Sequence, residues 1–200
     1  MPLADTACKL WSRNRGTIGG EGVVKSSTKQ TLAKYTRPKQ SGVLPRERLY
    51  ALLDQARQCP FIYVSAPAGA GKTTLLASYA EQRRVACLWY QVDATDADPA
   101  TFFSSLNECA PKRGARLPGL AGQSNLAAFT RHFFRRFFER LPAKFVLVLD
   151  AGLDLNAHDA LTRILADAAQ ELPAGSNLVV LSRDAPPPPF ARLRLQRTMT

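Results

Sequence analysis

Ile62-Tyr-Val-Ser-Ala-Pro-Ala-Gly-Ala-Gly-Lys72-Thr73-Thr74-Leu75-Leu76 is the stretch whose reading decides the fold. Phe61 to Val64 is an apolar, β-branched run, a loop of small residues follows it, and the loop opens into apolar residues at helical spacing. Strand, small-residue loop and helix in that order make a P-loop, here in the form Ala66-x-x-x-x-Gly71-Lys72-Thr73. The small residues Ala66, Pro67, Ala68, Gly69, Ala70 and Gly71 let successive backbone N–H groups curl around phosphate oxygens. Lys72, Thr73 and Thr74 open the following helix, whose unpaired N–H groups and positive dipole end favour an anion. Lys72 is expected to reach the β- and γ-phosphates, and the Thr73 hydroxyl to ligate Mg²⁺. Ala66 stands where the strict pattern has glycine, a sterically mild change at a strand exit.

Two hundred residues with 46% hydrophobic content suffice for one α/β domain with a real core. The absence of a long apolar run argues against a membrane span, and the N-terminus lacks the pattern of a signal peptide, so a cytoplasmic location is expected. Cys8, Cys59, Cys87 and Cys109 are scattered without a C-x-x-C pair, which argues against zinc or a disulfide framework. Residues 1–50 hold ten of the 27 Lys and Arg against three of the 16 Asp and Glu, and so carry +7 of the +11 net charge. Without periodicity, residues 1–40 read as a flexible basic arm, either a solvated leader or a segment able to neutralise nucleic-acid phosphates.

From about residue 41 the pattern is ordered. A helix near Pro45–Gln58 places Leu49, Leu52, Leu53 and Ala56 on one face, and the P-loop helix runs to about Arg84. Ala86–Val92 reads as a buried strand, and Asp98-Pro99 as an N-cap with a first-turn proline for a helix to Cys109. Residues Pro111–Gln123 read as a loop, and Ser124 as the cap of a long helix, Asn125–Arg140. That helix pairs Phe129, Phe133, Phe134, Phe137 and Phe138 with Arg131, Arg135, Arg136 and Arg140, a pattern that would suit a membrane surface. Its position between two strands favours packing on a sheet instead. Phe145-Val-Leu-Val-Leu-Asp150 is an apolar run ending in a carboxylate, the Walker B pattern, in which Asp150 is expected to hold Mg²⁺, usually through water. A helix over Ala157–Glu171 and a fourth strand, Asn177–Ser182, follow, and Pro186 to Pro189 are expected to stop regular structure.

Repeated strand–helix units give a parallel sheet flanked by helices, an α/β P-loop NTPase fold. With Leu44-Pro-Arg-Glu-Arg-Leu, Trp89-Tyr-Gln-Val-Asp, Leu147-Val-Leu-Asp and Leu181-Ser-Arg-Asp, the P-loop resembles that of one family. It is similar to the N-terminal NTPase domain of the MalT-like (LuxR-type) bacterial transcriptional activators, of the STAND class of P-loop ATPases. The resemblance implies ATP or ADP with Mg²⁺ as cofactors and a switch role in oligomerisation. It implies sheet order 5-1-4-3-2, here with the fifth strand short or missing, and Arg183 beside the P-loop as a γ-phosphate sensor. It also implies that DNA binding belongs to domains outside this chain, so that residues 41–200 form an NTPase domain incomplete at its C-terminus. Weak nucleotide affinity and self-association are then expected of the chain alone. Many relatives carry a second acidic residue after the Walker B aspartate, where this chain has Ala151; hydrolysis is therefore expected to be slow or absent. Asp154 is the nearest replacement carboxylate, and a poor one. The alternatives are a small P-loop kinase or metabolic NTPase, with Asp93 and Asp96 as weak acceptor-site candidates, and an inactive remnant of such a gene.

Overall fold

Four short runs free of proline and glycine form the strands: β1 (Phe61–Ser65), β2 (Cys87–Val92), β3 (Val146–Ala151) and β4 (Asn177–Ser182). Their apolar residues are near-continuous rather than alternating with polar ones, the mark of strands covered on both faces. The computed structural model describes residues 34–39, 42–111, 114 and 116–200. It pairs the four strands in one parallel sheet of order β1-β4-β3-β2, the order that the resemblance implies. A fifth strand is reduced to one parallel bridge between Phe61 and Met199, on the outer side of β1. There the Phe61 N–H donates to the Thr198 carbonyl at 3.0 Å, and the Tyr63 N–H to that of Thr200 at 2.9 Å.

The helices are α1 (Glu47–Ala56), α2 (Lys72–Gln82), α3 (Pro99–Cys109), α4 (Leu126–Phe138), α5 (Asp159–Gln170) and α6 (Ala191–Leu195). Helices α1 and α2 cover one face of the sheet, packing on Ile62, Trp89, Val146, Val148, Val179 and Leu181. Helices α3, α4 and α5 cover the other, over Leu88, Tyr90, Leu147, Leu149, Leu178 and Val180. The period of two along each strand therefore decides which helical layer a side chain meets.

Helix α4 packs on the sheet. Phe133 and Phe137 are fully buried, and Phe129, Phe134 and Phe138 nearly so. Each such ring contributes about 1.5–3 kcal/mol on leaving water. Two of its arginines face α5, where Arg135 pairs with Glu171 at 3.0 Å and Arg131 with Asp167 at 3.9 Å, while Arg136 pairs with Glu139 at 3.7 Å. No helix among the described residues is long and apolar enough to cross a membrane.

Several local expectations shift. Asn125, not Ser124, caps α4, its Oδ1 accepting from the Ala128 N–H at 2.9 Å. In α1 the inward residues are Tyr50 and Leu53, whereas Leu52 is 53% exposed. Tyr50 takes the inner position because its hydroxyl finds Ser78 Oγ at 2.8 Å and its ring meets Tyr79 edge-on at 5.7 Å. The proline run does not end regular structure: Pro188–Phe190 form a 3₁₀ turn that leads into α6. Proline suits such a first turn because its missing N–H has no partner to lose. Of the cysteines, Cys59 and Cys87 are half-buried and Cys109 buried, none of them in a disulfide; Cys8 lies outside the described residues. Residues 112, 113 and 115 of the expected loop also lie outside, and the described remainder of 111–123 holds no helix or strand.

Lys34 and Tyr35, within the stretch read as the basic arm, touch the domain. Lys34 Nζ lies 2.9 Å from both Asp93 Oδ2 and Asp96 Oδ2, and Tyr35 packs on Tyr90 at 5.7 Å. Asp96 is fully buried and also accepts from the Tyr90 hydroxyl at 2.6 Å and the Asp93 N–H at 2.9 Å. With both oxygens engaged in this way, Asp96 is a structural clamp and not an accessible acceptor-site carboxylate.

Candidate functional site

The loop between β1 and α2 carries the residues Ala66 to Gly71. Gly69 and Gly71 have φ of +78° and +80°, the left-handed region that glycine enters without steric cost. At Gly71 a second constraint applies, since a Cβ there would stand 3.2 Å from Arg46 Nη2. Gly71 is also the N-cap of α2, and having no side chain it leaves the helix uncapped. The first intrahelical bond runs from the Leu75 N–H to the Gly71 carbonyl at 2.8 Å, so the N–H groups of Lys72, Thr73 and Thr74 precede the helical ladder. By contrast, α3 and α4 are closed by Asp98 and Asn125. Pro67, Ala68, Gly69 and Ala70 are exposed, so a ligand can approach the loop from solvent.

Lys72 folds back over the loop, donating to the Ala66 carbonyl and, at 3.0 Å, to the Pro67 carbonyl. Thr73 Oγ1 donates to Asp150 Oδ2 at 2.8 Å. Asp150 sits near the end of β3 on the α1–α2 face, two residues after Val148 in the same alternation. Burial pushes its carboxyl above the ordinary carboxylate range, while the Thr73 bond and the Lys72 charge pull the other way. Mg²⁺ takes hard oxygen ligands in an octahedron with bonds of about 2.0–2.1 Å, which sets neighbouring ligands about 2.9 Å apart. Thr73 Oγ1 and Asp150 Oδ2 are hard oxygens of this kind, held together by their 2.8 Å hydrogen bond.

The sheet order puts β4 between β1 and β3, so its exit lies beside the loop. Ser65 is in register with Ser182, and the Ala66 N–H donates to the Ser182 carbonyl at 3.3 Å. Arg183 is the next residue and is exposed. Ala151 follows Asp150 but points the other way, into the α3–α5 layer, with 7% of its surface exposed. Asp154 turns from the site to cap a 3₁₀ turn, accepting from the Asn156 N–H at 2.9 Å. Sequence reasoning assigned no role to Arg46. Its position directly before α1 was legible, but its contact with the loop depends on how α1 docks.

No family model matches the chain. It is 28% identical over 174 residues to the HTH-type transcriptional regulator MalT of Cronobacter sakazakii, and 28% identical over 178 residues to that of Vibrio cholerae. The MalT of Serratia proteamaculans is 28% identical over 171 residues. The matches cover 84%, 84% and 82% of this chain but 19% of each relative, so the chain spans about a fifth of the length of the curated relatives it matches. Across most of its length, then, this chain is similar to one part of a much longer transcriptional regulator, MalT.

Proposed function

We propose that residues 41–200 form the nucleotide-binding switch domain of a MalT-like transcriptional regulator, holding Mg²⁺ with ATP or ADP. The single observation that carries this reading is the convergence of an uncapped helix start, Lys72 and the Thr73–Asp150 oxygen pair at one end of the sheet. Within Ala66 to Thr74, the backbone N–H groups of Lys72, Thr73 and Thr74, which precede the helical ladder, would cradle the phosphates together with those of the small-residue loop. Lys72 would exchange two carbonyl partners for phosphate oxygens, and Arg46 adds a second positive charge above Gly71. Thr73 and Asp150 would hold Mg²⁺, which when bound neutralises charge on the terminal phosphates. Arg183 would report the γ-phosphate from the exit of β4. Hydrolysis is slow on this reading, because position 151 faces the α3–α5 layer and Asp154 is spent on a cap, so neither supplies a base. Regulation of transcription, self-association and DNA contact belong to the longer proteins that this chain resembles, and here they remain part of the proposal.

The test is calorimetric titration of Mg-ATP and Mg-ADP into the wild type and Lys72→Ala. Loss of a charge-assisted contact of about 1.5–3 kcal/mol lowers affinity tenfold or more. Equal affinity in the two proteins would remove the assignment.

A further inference from the structure

The backbone that follows β4 is tied from two sides. Tyr63, on β1, donates its hydroxyl to the Asp184 carbonyl at 3.2 Å and lies 3.5 Å from that of Ala185. Asn156, on the segment leaving β3, donates Nδ2 to the same Ala185 carbonyl at 3.4 Å. Asn156 is itself set by Asp154, whose Oδ1 accepts from its N–H at 2.9 Å and its Nδ2 at 3.3 Å. Within the loop, the buried Ser182 hydroxyl accepts from the Asp184 N–H at 3.2 Å. The Tyr63 ring is wedged edge-on against Phe190 at 5.8 Å, which fixes where its hydroxyl can reach. Burial raises the pKa of this phenol, so at neutral pH it remains a donor.

Arg183 lies inside this tied segment. Its side chain is exposed, while the backbone on both sides of it is held. The ties originate on β1, which delivers the phosphate loop, and on the segment that follows β3, which delivers Asp150, so the three parts of the site share one frame. Resting on the nucleotide reading above, we propose that Tyr63 and Asn156 are positioning residues that lock Ser182–Ala185, aim Arg183 at the terminal phosphate and so make the site distinguish a nucleoside triphosphate from a diphosphate.

The test measures affinities for a non-hydrolysable Mg-ATP analogue and for Mg-ADP in the wild type, Tyr63→Phe, Asn156→Ala, Arg183→Ala and the Tyr63→Phe/Arg183→Ala double variant. Tyr63→Phe keeps the ring on Phe190, and Asn156 is exposed, so the folded protein is retained in at least one arm. The expected result is a fall of about 3- to 10-fold in triphosphate preference for each single positioning variant, with ADP affinity unchanged. In the Arg183→Ala background, Tyr63→Phe should then cost nothing further. An unchanged preference in both positioning variants overturns the proposal, as does an equal fall with and without Arg183, which marks a merely structural role. Wild type that binds both nucleotides equally well also overturns it and leaves the nucleotide reading standing. Wild type that binds neither removes that reading, and this inference with it.

Discussion

Ala151→Glu separates the two faces of β3. The substitution places an acid directly after Asp150, where a water-polarising residue would be sought. The strand alternation instead sends this side chain into the α3–α5 layer, at a position 7% exposed. A carboxyl at such a site takes up a proton or remains charged at greater cost. Raising a glutamate pKa from about 4.3 to about 7 costs about 3–4 kcal/mol at pH 7, and overpacking adds about 1–3 kcal/mol. A domain of this size loses about 2–4 °C of Tm per kcal/mol, so the variant should melt roughly 10–20 °C below wild type. The sign with pH is fixed: the folded-state pKa lies above the unfolded value, so the penalty grows as pH rises between the two. Melts followed by circular dichroism at pH 5 and pH 7, with Ala151→Gln as a neutral control of similar volume, isolate the charge. Ala151→Glu should be markedly worse at pH 7 than at pH 5 relative to Ala151→Gln. A variant that melts with wild type and turns over ATP faster would show that this carboxylate reaches the phosphates, and the facing argument would be wrong.

Two further outcomes follow from particular contacts. Because burial holds the Asp150 carboxyl above the ordinary carboxylate range, Mg²⁺-dependent nucleotide affinity should weaken on acidification at a higher pH than an exposed aspartate would impose; titrations from pH 7 to pH 5 should show this slope, and Asp150→Asn should reduce it to the part that the nucleotide's own phosphate imposes. Lys34→Met leaves the fully buried Asp96 carboxylate without its cation, a loss of about 3–5 kcal/mol, or roughly 6–20 °C in Tm; an unchanged midpoint would mean that the Lys34–Asp96 pair adds nothing to the fold.

The strands and the phosphate loop were legible because their signals are local. Each is a run of a few residues whose composition suits one backbone state. Asp150 was legible at one remove, since a carboxylate ending a buried strand gains meaning only with a P-loop upstream. The contacts that refine the site are long-range and left no local trace. Arg46 meets Gly71 because α1 docks beside α2, and Tyr63 meets Asp184 because β1 and β4 are neighbours. Apolar spacing in α1 favoured Leu52, and a hydroxyl partner on α2 gave the buried position to Tyr50. Lys34 sat in a stretch of basic, aperiodic composition, and only the fold brings it to a buried carboxylate in the 3₁₀ turn after β2.

The strand order has a consequence for how the chain acquires its structure. Phe61 pairs with Leu178, 117 residues later, and Cys87 with Val146. The sheet therefore contains no hairpin, and closing β1 into it waits for the central strand β4, all six residues of which are buried. At about 5–20 residues per second on the ribosome, Phe61 emerges roughly 6–23 s before its partner exists. Through that interval α1, β1 and α2 can form only local contacts, and β2 with β3 can pair first. Insertion of β4 between the two halves is then the event that completes the sheet, a high-contact-order step that sets the pace of folding.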